Sequence, residues 1–157
     1  MEWPLHNLTL SGREHDPLAL TQVMLASAAL VVVLLAAAYL AALGITSLVR
    51  PERAKAFLSA FASTQRVHFT ELAIRALVGG ALVLTAPRMP FAPAFTVFGW
   101  ILVGTTLLLA VVPWRLHRRF ASWSVPQATR NMPLLGIGAL AGGLVLFGAL
   151  LLQRAAG

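Results

Sequence analysis

The sequence predicts an all-α integral membrane protein. Four transmembrane helices are expected as two parallel-repeat hairpins, with short amphipathic interfacial helices in the cytoplasmic loops. Three observations predict this. Hydrophobic residues fill 59% of the 157 positions and charged residues only 11%, against roughly 45–50% and about 25% in soluble domains. Mean hydropathy is +0.82. Eight of the twelve Lys and Arg residues crowd into two short loops between uncharged stretches. A soluble enzyme with a polar surface and a disordered tail are both excluded by these figures. With no cysteine, disulfides and thiolate metal sites are excluded as well.

A bilayer core about 30 Å thick needs roughly 20 apolar residues at 1.5 Å rise each. The first span is expected at about 20–48, centred on LASAALVVVLLAAAYLAALG from Leu25 to Gly44. The loop that follows opens with Pro51 at a favourable first helical position. Ala54, Phe57, Leu58 and Phe61 then recur at helical spacing, with Arg53, Lys55 and Ser59 elsewhere on the wheel. The second span, about 67–86, carries Glu71 and Arg75 and is the least apolar. It is required by parity, because without it the two basic loops would lie on opposite sides of the membrane.

A stiff connection follows, APRMPFAPA from Ala86 to Ala94, with three prolines. The third span, about 93–112, and the fourth, about 133–152, are free of Asp, Glu, Lys and Arg. In the loop between them, Leu116, Phe120 and Trp123 repeat at i, i+4, i+7 beside Arg115, His117, Arg118 and Arg119. Helices of this kind lie in the headgroup layer, with Arg at phosphate level and Trp at the boundary. Arg53, Lys55, Arg115, Arg118 and Arg119 are therefore expected to bind lipid headgroups, and the expected partners are anionic membrane lipids.

Arg50, Arg53, Lys55 and Arg66 follow span one, and Arg115, Arg118, Arg119 and Arg130 follow span three. Short loops rich in Lys and Arg stay cytoplasmic. Both termini are thus expected to be periplasmic in a bacterial inner membrane. The N-terminal tail carries Glu2, Glu14 and Asp16 and lacks the basic start of a cleavable signal peptide. The net charge of +7 reads as topology, and no nucleic-acid partner is expected.

The two halves look alike. Pro51 and Arg53 align with Pro113 and Arg115 at an offset of 62, and Phe57 and Ser59 with Phe120 and Ser122 at 63. The second offset also pairs ALVGG, Ala76 to Gly80, with ALAGG, Ala139 to Gly143. The chain is thus read as one membrane domain over 1–157, with repeats at about 18–88 and 89–153. Each two-span unit returns to its starting side, so a pseudo-twofold axis would run along the membrane normal.

One polar constellation stands out. His68, Glu71 and Arg75 are spaced by three and four residues and share one helical face. A charge at the bilayer centre costs about 2.5–3.5 kcal/mol on insertion scales, and pairing Glu71 with Arg75 reduces that cost. The positions aligned with them in the second half are Asn131, Leu134 and Gly138, so the duplication is asymmetric here. Two readings follow: a cytoplasm-facing pocket that relays protons or holds a charged headgroup, or an ion pair that fixes packing.

Haem would need imidazoles on facing helices, and His117 lies past the end of span three among arginines. His68 with Glu71 is short of ligands for a metal. No phosphate loop, serine-nucleophile motif or HExxH is present. No cofactor, metal or catalytic residue is expected, and the protein is not expected to be an enzyme. Small residues let membrane helices approach closely. Gly79, Gly80, Gly138, Gly142 and Gly143 are the candidate packing positions, expected to seat span four on span two within the chain or, alternatively, to form a dimer or a seam with a larger partner.

The succession of span, PER or PWR, Phe-containing basic loop and GG-centred span resembles small bacterial multi-span inner-membrane proteins. Each half resembles their short two-span members. The resemblance covers roughly 41–150 and implies no activity. Two functions remain. The first is a non-enzymatic accessory or scaffold subunit of a larger membrane assembly. The second is a small transporter or lipid-handling protein with a polar site on the second span. Four spans enclose a pathway most readily as a homodimer.

Overall fold

The computed structural model describes residues 17–61, 64–113, 119, 123–124, 126–127 and 129–156. The described residues are helical with short connections and contain no strand. Among the described residues, four helices are long and apolar enough to cross a membrane. They are α1 (Pro17–Val49), α3 (Gln65–Thr85), α4 (Ala92–Val111) and α5 (Met132–Ala156), and a shorter α2 (Pro51–Phe61) joins α1 to α3.

Local chemistry sets most of the ends. Pro51 opens α2, whose first-turn Glu52 suits a helix N-terminus. Thr64 caps α3, its Oγ1 accepting from the Val67 amide at 3.3 Å. The proline-rich stretch after α3 folds as a single 3-10 turn, Ala86–Arg88. Phe91 then takes a left-handed conformation (φ 59°, ψ 36°) to start α4. For a residue with a Cβ that conformation costs roughly 1–2 kcal/mol, and the buried Met89 side chain anchors the turn.

The helices form a row in the order α4, α3, α1, α5. The largest interfaces are α1 with α5 and α3 with α4, followed by α1 with α3, while α4 and α5 form no comparable interface among the described residues. Along α1 the buried positions Ala29, Val33, Ala37, Gly44 and Ser47 trace one stripe of mostly small residues. Large side chains elsewhere on α1, including Leu25, Leu35 and Ile45, are exposed. In water such a surface would be untenable; in lipid it is the solvated one.

The packing departs from the expectation in two respects, the first being that α4 and α5 do not pack as a second hairpin among the described residues. Second, span four, α5, lies on α1 and not on span two, α3. Residues 112–131 between α4 and α5 are long enough to carry α5 past its sequence neighbour. The seam shows why α1 is chosen. A Cβ on Gly44 would stand 2.6 Å from the Leu140 amide nitrogen and 2.8 Å from the Gly136 carbonyl oxygen. A Cβ on Gly143 would stand 2.8 Å from the Ala37 carbonyl oxygen. Backbones this close need glycine at the crossing. The α3–α4 seam repeats the device with Gly79 against Gly99.

Gly80 and Gly138 face open space, and Gly142 meets only Leu40 Cδ1 at 3.8 Å. At Gly138 the added methyl of Gly138→Ala should therefore raise stability by about 0.5–1 kcal/mol through helix propensity alone. Unfolding in mixed detergent–SDS micelles reads this directly.

Candidate functional site

The polar face of α3 is built from the helix geometry upward. Glu71 and Arg75 are one turn apart, and Arg75 lies about 15 Å from the start of α3 at 1.5 Å per residue. Arg75 Nη1 donates to Glu71 Oε1 at 3.5 Å, and Nη2 donates to Thr105 Oγ1 of α4 at 3.3 Å. Thr105 Oγ1 in turn donates to the Ile101 carbonyl at 2.7 Å. The guanidinium thus ties α3 to α4. Arg75 Nε is buried and has no hydrogen-bond partner among the described residues.

On the other side, the Tyr39 hydroxyl of α1 lies within electrostatic reach of Glu71. The ion pair therefore sits where α1, α3 and α4 converge. Its side chains keep a third or less of their exposure, 33% for Arg75 and 27% for Glu71. His68, one turn before Glu71, is buried, and its ring meets Phe69 at 5.6 Å between centroids.

Of the predicted cluster, Glu71 and Arg75 are paired, and His68 is buried on the same helix. Thr105 and Tyr39 complete the site. They escape a sequence reading because each lies on a different helix, and a lone Thr or Tyr in an apolar span carries no local signal. A hydroxyl at membrane depth is the one available hint, since such groups either bond to their own helix or find a partner. No group of three potential metal-ligating side chains occurs among the described residues.

The predicted headgroup ligands are spread out. Arg53 and Lys55 lie on α2, where Lys55 Nζ pairs with Glu52 Oε1 at 2.9 Å. Ala54 faces inward, and Phe57 meets the Tyr39 ring at 6.5 Å. Arg119 is exposed. Arg115 and Arg118 lie outside the described residues. At the opposite end of the bundle, α1 and α5 flank a groove of about 510 Å³ lined by Leu30, Leu34, Phe147, Leu150, Gln153 and Arg154.

No family model, curated protein or solved structure matches this chain.

Proposed function

We propose that this chain is a non-enzymatic accessory or scaffold subunit of a larger membrane assembly, built by internal duplication. The observation that carries the reading is the commitment of Arg75. Its guanidinium binds Glu71 in its own helix and Thr105 in the next, so this deep cation acts as a tie between helices. The protein lies in a bacterial inner membrane with its termini periplasmic and its basic loops cytoplasmic. There α2 rests in the headgroup layer, and Arg53, Lys55, Arg115, Arg118 and Arg119 contact anionic lipid.

Two matched seams support the duplication. At the offsets of 62 and 63, α1 corresponds to α4 and α3 to α5, so the α1–α5 interface is the image of α4–α3. Gly79 packs on Gly99, and Gly143 packs on Ala37. The image of Gly79 on Gly99 is Gly142 on Ala37, one residue from the contact formed.

Copurification from mild detergent tests the accessory reading. A second, different polypeptide in fixed ratio is expected, and a preparation holding this chain alone would overturn it. Topology is tested with Ala60→Cys and Ser122→Cys. Both should react with an impermeant maleimide only from the cytoplasmic face, and labelling from opposite faces would refute the arrangement.

The residual exposure of Glu71 and Arg75, with the unpartnered Arg75 Nε, favours the second reading, a small transporter or lipid-handling protein. Substitution of the pair separates the two, as argued below.

A further inference from the structure

We infer that the free face of α5 docks on α4 of a second copy of this chain, repeating between molecules the seam that α3 makes with α1 inside one. The inference rests on the duplication proposed above. Under its offsets the α1–α3 seam has the image α4–α5, and no comparable interface forms among the described residues of one chain. α4 and α5 stand instead at opposite ends of the helix row, each with an uncovered side.

The residues on α5 fit this vacancy. On α3 the α1 seam includes Ala81 and Leu82, 5% and 1% exposed, which share one core cluster with Ala29, Val33 and Ala37 of α1. Their images on α5, Leu144 and Val145, are each 60% exposed. The buried Thr85 has as its image Gly148, where a Cβ would meet nothing within 4 Å. The same sequence block that α3 buries is thus presented outward by α5.

The occupant that fits is a helix of the α1 type, and α4 is the one such helix left uncovered. Tyr39 of α1 and Glu71 of α3 have as their images Ile101 and Leu134, both exposed and apolar. A contact between copies there desolvates no charge, so close packing alone can hold it in lipid. The contact is isologous, because α5 of each copy meets α4 of the other. Two copies satisfy both free ends, with the twofold axis along the membrane normal.

The chain has no cysteine, so crosslinking is clean. Ile101→Cys and Leu134→Cys, each on a differently tagged copy, are coexpressed and treated in native membranes with a short bismaleimide. A mixed covalent dimer is expected at several-fold the yield of either variant alone. Leu107→Cys, exposed elsewhere on α4, should give no comparable dimer with Leu134→Cys.

Two in-chain pairs on the same gel report the matched seams: Leu40→Cys with Gly142→Cys, and its image Leu102→Cys with Gly79→Cys, whose Cβ atoms would stand 3.2 Å apart. If both close while 101 and 134 do not join, lipid or another protein covers α5; the docking is then wrong and the duplication stands. If either in-chain seam fails to close, the duplication falls and the docking falls with it. Equal yields from 107 and 101 would mark random collision and overturn the inference.

Discussion

Gly44→Val is expected to pry α5 away from α1 and to be the most destabilising single substitution in the bundle. The new side chain meets the Leu140 amide and the Gly136 carbonyl, which are backbone atoms of a continuous helix. No rotamer change relieves that clash, so the helices must separate along the largest seam of the fold. Overpacking typically costs about 1–3 kcal/mol, and the upper end applies where the obstacle is main chain. Gly44→Ala should fall between wild type and Val. Gly142→Val is the control, because a Cβ there meets only the mobile end of Leu40. Unfolding in mixed micelles should rank the variants in that order, and equal stability of Gly44→Val and Gly142→Val would refute the crossing.

The second large effect is expected at the ion pair. Glu71→Leu leaves Arg75 charged at membrane depth, with Thr105 as its remaining partner in the structure. The loss should approach the insertion cost of about 2.5–3.5 kcal/mol. It is reduced to the extent that Arg75, one-third exposed, can extend towards a headgroup. Removing both charges should recover most of the loss, because two apolar side chains need no desolvation in this medium. A scaffold therefore predicts that Glu71→Leu with Arg75→Leu is folded, near wild type in stability and still bound to its partner. A transporter predicts the reverse: Glu71→Gln, which keeps the shape, abolishes transport, and the apolar pair is stable but inactive.

The four spans are legible in the sequence because lipid imposes a local rule: every crossing segment must be long, apolar and internally hydrogen-bonded. Even α3, which carries Glu71 and Arg75, follows from parity and loop charge. The partner of each helix is not legible in the same way. Small-residue spacing points to Gly138, Gly142 and Gly143, yet of these only Gly143 lies at the close crossing on α5, with Gly136 and Leu140, opposite Ala37, Ala41 and Gly44. Several faces of α5 carry small residues, and only a complementary stripe on another helix selects among them. The stripe on α1 (Ala29, Val33, Ala37, Gly44, Ser47) is the decisive feature, and its spacing is visible only once it is sought. The Glu71–Arg75 pair follows from spacing alone, whereas Thr105 and Tyr39 depend on which helices become neighbours.

The 33 residues of α1 have a consequence for the surrounding bilayer. At 1.5 Å per residue the helix is about 50 Å long, against a hydrocarbon layer of about 30 Å. Even a steep lean of about 40° leaves it spanning roughly 38 Å along the normal. Lean alone does not bring the whole helix within the layer, so its first turns, where Leu18, Leu20, Val23 and Met24 are exposed around Thr21 and Gln22, project into the interface or draw longer lipids around them. Residence in a thicker membrane is the less strained condition for this protein, and long-chain lipids should gather around its first helix.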